Sequence, residues 1–246
     1  MKREAQDQSV SGAPTDAVFA PVRSQTAFEE TVDRLATAIK VGLVAPGSRL
    51  PAERELCTRL GIARSTLRQA LTALTQSGHV YAIRGRGGGT FVADPLPPAD
   101  PPSSHVAARW RETCDERLAI EVGVAVLAAQ RASESNLDAL DALASQLDRA
   151  TLDFPAYRPL DIRLHVGLAD ATGSVGLVRM MTDAQGAMSD LIAHIAHPPE
   201  VLSSSNVQHR RLLQAIRKHD VRRAALVMTE HVQATEHILA GLLPQV

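Results

Sequence analysis

Apolar side chains along the first ninety residues recur at helical spacing, then switch to a short alternating pattern. Phe28, Val32, Leu35, Ile39 and Leu43 predict a helix over 26–42, closed by Gly42 and the following Pro46. Pro51 suits a first helical turn. With Glu53 and Glu55 near the positive end and Leu56 and Leu60 on one face, it predicts a second helix over 51–59. Gly61 can take the positive φ of a sharp interhelical turn. Ile62, Leu67, Ala70, Leu71 and Leu74 then form the inner stripe of a third helix, which leaves Arg64, Ser65, Thr66 and Arg68 at its outward N-terminal end. Residues 80–84 and 90–92 read as short strands around the glycine-rich segment GRGGGT.

Beyond this block, DPLPPADPPSS carries five prolines in eleven residues and favours an extended, semi-rigid connector. From Val106 onward no strand pattern is evident. Ala- and Leu-rich stretches recur between caps expected at Ser133, Asp153, Ser174, Ser203 and Asp220. The predicted fold class is mainly α: an N-terminal winged helix-turn-helix domain with a small β-hairpin wing, plus a C-terminal all-α antiparallel helical bundle. The expected division is a flexible tail over 1–25, the winged domain over 26–93, the Pro-rich linker over 94–105 and the bundle over 106–243.

A hydrophobic content of 45% supports buried cores, and 3% aromatics makes them mostly aliphatic. Cys57 and Cys114 are too few for a disulfide framework or a four-thiolate metal site, so buried free thiols are expected. No signal-like run or twenty-residue apolar span is present, which points to a cytoplasmic protein without a membrane partner.

Net charge over the whole chain is −1, yet 49–86 holds seven arginines against Glu53 and Glu55. Such a regional excess suits a polyanion, because neutralising phosphates releases counterions. Hydroxyls and guanidinium forks at the start of the third helix are what a helix laid in a major groove needs for phosphate bonds and guanine edges. Nucleotide-cradling glycine loops follow a strand and open a helix; here strands flank the glycines on both sides, so GRGGGT reads as a wing tip that can lay Arg84 and Arg86 against the backbone or minor groove.

Several polar residues of the bundle fall on apolar stripes. Asp161 and His165, four apart, share the face of Leu164 and Leu168. His209 lies among Leu202, Leu212, Leu213 and Ile216, and His231 among Ala224, Met228, Val232 and Leu239. Counting from the turn at His219 and Asp220, both histidines sit roughly 16 Å away along antiparallel helices and should meet at one level. On spacing alone two readings stand: separate hydrogen-bonded core histidines with a capping aspartate, or a divalent-cation site with positions left open for a bound molecule. Arg117 shares the stripe of Cys114, Glu121, Val124 and Ala128; it can meet an anion or pair with Glu121. His194, His197 and His237 are expected to be solvated or capping.

The run LPAERELCTRLGIARSTLRQALTAL followed by GRGGGTFV resembles the signature of the GntR family of bacterial winged-helix regulators. That resemblance implies DNA contacts by Arg54, Arg64, Ser65, Thr66 and Arg68, joined by Arg84 and Gly85 of the wing. Ala63 and Cys57 depart from the family's usual Ser and Ala. The stretches ERLAIEVGVAVLAAQ, QHRRLLQAIRKHD and AALVMTEHV are similar to the FCD effector domain of FadR-type members. The similarity implies that Asp161, His165, His209 and His231 are metal ligands, for zinc first and nickel, iron or manganese as alternatives, and that Arg117 helps to hold a carboxylate effector. The expected function is a homodimeric transcription regulator, a repressor, on pseudo-palindromic double-stranded operator DNA, controlled by a small organic acid. A metal-dependent hydrolase fused to a DNA-binding head, or a regulator with a purely structural dimerisation bundle, are the competing expectations. No HExxH spacing or nucleophile motif supports an enzyme.

Overall fold

A computed structural model describes residues 26–97, 109–192 and 197–242. The segment read as a tail, most of the Pro-rich connector and His194 lie outside the described residues.

Helix α1 (Ala27–Lys40) opens with a capping box in which Thr26 and Glu29 satisfy each other's backbone amides. Thr31, Leu35 and Ile39 are its buried positions, whereas Phe28, expected in the core, is only half-buried. Helix α2 (Glu53–Leu60) begins after Pro51, not at it. The amide of Leu50 donates to Thr90 O (2.8 Å), which keeps the chain extended through the proline, and Ala52 becomes the cap. Gly61 closes α2 at φ +66°, the left-handed turn the sequence calls for. Helix α3 (Arg64–Gln76) then buries Leu67, Ala70, Leu71 and Leu74. Strands β1 (Val80–Ile83) and β2 (Gly89–Val92) pair antiparallel, and Arg49 adds a single bridge to Phe91 on the other edge. Leu35, Ile39, Leu50, Leu67, Leu74, Val80 and Val92 close one aliphatic core under this head.

Among the described residues six helices follow: α4 (Trp110–Arg131), α5 (Glu134–Arg149), α6 (Phe154–Asp170), α7 (Val175–Ile192), α8 (Pro199–Arg217) and α9 (Val221–Leu242). No strand occurs among the described residues of this part. Ser133, Asp153, Ser174 and Asp220 cap helices as expected, each accepting from a backbone amide three residues on. Ser203 does not. Helix α8 starts earlier, at Pro199, because a proline in the first turn gives up an N–H that has no helical partner anyway. Helix α4 packs against α9 and α7, and α8 against α9 and α5. Val124, Ala128, Leu164, Leu168, Leu212, Ile216, Val227 and Met228 fill the space between them. Cys57 and Cys114 are free, Cys57 half-buried and Cys114 fully so; burial pushes the Cys114 thiol up to about 11.

Head and bundle touch at the end of α1. Val41 belongs to the bundle core, Arg163 Nη2 donates to Gly42 O (2.9 Å), and Thr37 faces Gly186 of α7. Gly42 has φ +72°, and a Cβ there would lie 2.8 Å from Pro159 Cβ. Gly42→Ala is therefore expected to destabilise the protein by about 1–3 kcal/mol in urea unfolding. Gly123→Ala, at an exposed site within α4 where a Cβ meets nothing, is expected to gain about 1 kcal/mol from helix propensity alone. Equal effects at both glycines would contradict this account of the junction.

Candidate metal centre and nucleic-acid interface

On the head, Arg64, Ser65 and Arg68 are exposed at the start of α3, Thr66 is half-buried beside them, and Arg54 is exposed on α2. The Nε atoms of Arg64 and Arg68 both donate to Glu53 Oε2, at 3.0 and 3.2 Å. The bond from Arg64 is the main reason the Glu53 carboxyl lies below its ordinary range, with burial opposing it. One carboxylate of α2 thus holds two guanidiniums of α3 through their Nε atoms while both side chains stay largely exposed. Ala63 starts α3 with no side-chain cap. Arg84 and Gly85 are exposed at the hairpin tip, where Gly85 has φ +95°. Tyr81 stacks on Phe91 at 5.7 Å behind it and stiffens the wing.

Inside the bundle, α6 supplies Asp161 and His165, α8 supplies His209 and α9 supplies His231. The level predicted from the turn at Asp220 holds: the rings of His209 and His231 lie 4.6 Å apart, and each lies within 5.3 Å of His165. One nitrogen from each imidazole falls within 4.8 Å of the others. Asp161 Oδ1 stands 3.5 Å from His209 Nε2 and 3.8 Å from His165 Nε2. All four side chains are buried, and Asp161 Oδ1, both nitrogens of His209 and Nε2 of His165 and His231 have no hydrogen-bond partner. Orphaned polar atoms of this kind cost free energy unless something binds them.

The outer nitrogens of two imidazoles, His165 and His231, face polar neighbours. His165 Nδ1 lies 2.5 Å from Glu121 Oε2, short of hydrogen-bond alignment, and His231 Nδ1 is 3.1 Å from Gln208 Oε1. Turning Nδ1 outward aims Nε2 at the shared centre, as in carboxylate–histidine–metal arrangements. Burial lowers His209 to about 4, partly offset by Asp161. Burial also pushes His231 well below its ordinary value, and the neighbouring imidazoles push it the same way. Neutral imidazoles are the form that binds a cation. For Asp161, burial alone would raise the carboxyl, but His165 and Arg158 outweigh it and hold it well below the carboxylate range. A carboxylate and three imidazoles with free lone pairs fit a divalent ion such as zinc.

Arg117 is 3% exposed and its Nε donates to Glu121 Oε1 (2.6 Å). The Glu121 pair that the stripe allowed is thus present, while Arg117 also lines a small cavity of about 80 Å³ beside Asp161 and His231. Sequence reasoning missed Arg158. Its Nη1 donates to Asp161 Oδ2 (2.6 Å), Nη2 to Gln185 O and Ser189 Oγ (both 3.0 Å), and Nε to Ser189 Oγ (3.1 Å). It also lines the cavity. Burial works against its charge, Asp161 supports it and Arg117 opposes it. Glu121 was read only as a partner of Arg117; it also bears on His165 and accepts from Gln185 Nε2 (2.9 Å). The i, i+4 spacing from Arg117 showed the first role, and no local signal showed the others. His197 caps the end of α7 through Ile192 O (2.8 Å) and stacks on Phe154, whereas His237 is exposed.

Residues 28–92 match the family model described as bacterial regulatory proteins, gntR family, and residues 112–234 match the FCD domain. The chain is 30% identical over 217 residues to the HTH-type transcriptional regulator RmpR of Mycobacterium gastri, a match spanning 82% of this chain and 76% of that protein. It is 28% identical over 224 residues to the L-lactate dehydrogenase operon regulatory protein of Escherichia coli (strain K12), spanning 83% of each. Among solved structures, E. coli McbR/YncC superposes with a TM-score of 0.56 at 18% identity, over 89% of this chain and 99% of the other, which shows a shared fold. The relatives are transcriptional regulators, FCD domains can bind metal, and no helix among the described residues is long and apolar enough to cross a membrane. Head and bundle together identify the chain as a member of the GntR family of bacterial transcription regulators that carries an FCD domain.

Proposed function

We propose that this regulator is a homodimeric repressor whose operator binding is set by a small carboxylate held at a divalent metal. Arg64 and Arg68, aligned by Glu53, read base edges in the major groove. Ser65 and Thr66 hold phosphates, Arg54 flanks the groove, and Arg84 and Gly85 bring the wing to the backbone. Two heads on a symmetric dimer meet the equivalent halves of a pseudo-palindromic site. Such work places the protein beside the chromosome, in the cytoplasm.

Asp161, His165, His209 and His231 would hold the metal, which when bound supplies a Lewis-acidic position for a carboxylate. Arg117 orients that carboxylate from the cavity side, and the apolar lining of Met188, Ile192 and Leu202 keeps water out. As a sensor, the pocket returns its acid unchanged. One relative is named as an L-lactate dehydrogenase operon regulatory protein, and a small hydroxy acid belongs to the class of ligand this chemistry suits. Coupling to the head runs along α6, which carries Asp161 and His165 on one face and Pro159 and Arg163 against Gly42 on another.

The observation that carries this reading is the convergence of four buried donors whose inward atoms lack any partner. Protein purified without chelator is expected to contain about one divalent ion per chain by elemental analysis. Small acids should raise its thermal midpoint and change operator affinity only while the metal is present. Absence of stoichiometric metal, together with no acid that moves operator affinity, would overturn it.

A further inference from the structure

Among the described residues, the buried formal charges are Arg117, Arg158, Glu121 and Asp161, and all four gather at this pocket. Imidazoles that ligate a metal carry no charge, so in the loaded site the two guanidiniums and two carboxylates cancel. A divalent ion on Asp161 and the imidazoles therefore leaves two uncompensated positive charges beside an apolar lining that includes Met188, Ile192 and Leu202. Such an imbalance is costly in a poorly polarisable interior. A monocarboxylate removes only half of it. Arg158 is fixed rather than free: its contacts to Asp161, Gln185 and Ser189 occupy four of the five N–H groups and leave one on Nη1 of a side chain that lines the cavity. Arg117 commits only Nε, to Glu121.

We propose that the effector is a small dianion, with one anionic group beside the metal and Arg117 and the second on Arg158. This deepens, and rests on, the reading of the pocket as a metal-dependent sensor. Two anchoring points at fixed separation also give the pocket a length preference that a single arginine cannot impose.

Calorimetric titration of zinc-loaded full-length protein with succinate and with butyrate tests it, since the two acids share a four-carbon chain and differ in one terminal carboxylate. Succinate is expected to bind at least about tenfold more tightly, as one added charge-assisted contact implies. In metal-stripped protein that advantage should fall to within about twofold, because the two positive charges of the ion that call for a second anionic group are gone. Arg158→Gln is expected to bring the two acids within about twofold. Should that variant lose zinc, the comparison of loaded with stripped wild-type protein decides by itself. Methyl phosphate, which carries both charges on one group, tests the second anchor: weaker binding than succinate supports two separated anionic groups, and tighter binding overturns them. Equal affinities of succinate and butyrate for the loaded protein overturn the dianion and leave the sensor standing, whereas no binding of any acid counts against the sensor itself.

Discussion

Replacing Arg64 and Arg68 together by alanine is expected to erase the preference of this protein for its operator over random duplex. A bidentate contact with a base pair is worth about 1–3 kcal/mol, and in a symmetric dimer each substitution removes it twice. The combined loss, about 4–12 kcal/mol, is as large as the whole specificity of a typical operator-binding protein, about 4–10 kcal/mol. The fold should survive. Both guanidiniums are exposed, at 69% and 62%, and their pairs with Glu53 are of the surface kind that contributes at most about 1 kcal/mol each. Competition binding with specific and random duplexes reads the effect, and a thermal midpoint close to wild type shows that the head is intact. A uniform loss of affinity for both duplexes, with a shallower salt dependence, would instead assign the two arginines to phosphates. An unchanged preference would remove α3 from the groove.

Much of this was legible because the relevant signals are periodic. The stripe of Leu67, Leu71 and Leu74 fixes which face of α3 is inward and thereby which face carries Arg64 and Arg68. Asp161 and His165 share a face by i, i+4 spacing, and the distances of His209 and His231 from the turn at Asp220 set them level, where their rings lie 4.6 Å apart. What was hidden depends on contacts across the bundle. Arg158 stands next to Pro159, which interrupts the helical pattern, and the apolar stripe that marks the inward face is clear only from Asp161 onward. In the structure Asp153 caps α6 at Phe154, the proline sits within the helix against Gly42, and Arg158 turns inward to bond Asp161 and α7. Nothing in the spacing of Glu121 on α4 reveals that it reaches His165 on α6. The start of α8 at Pro199 was passed over because Ser203 offered a stronger side-chain cap than a proline does.

Asp161→Ala and His209→Ala are expected to lose bound metal equally and yet to differ in stability, and the difference isolates the work done by the arginine that the sequence concealed. In chelator, Asp161→Ala leaves the buried Arg158 guanidinium without its counter-charge, and breaking a buried ion pair in this way costs about 3–5 kcal/mol. His209→Ala opens a cavity, which costs about 2–5 kcal/mol for a large side chain. It also removes two nitrogens that were buried without partners, each worth about 1–3 kcal/mol in the opposite direction. The two contributions nearly cancel. Urea unfolding in chelator should therefore rank wild type and His209→Ala together, with Asp161→Ala well below both. Added zinc should raise the wild type alone, by about 2.7 kcal/mol when the free ion stands a hundredfold above its dissociation constant, because only the intact set of four donors binds the folded state. Stoichiometric zinc retained by His209→Ala would remove α8 from the metal centre. If Asp161→Ala unfolded with the wild type in chelator, Arg158 would not need its carboxylate, and the charge count that points to a dianionic ligand would fail with it.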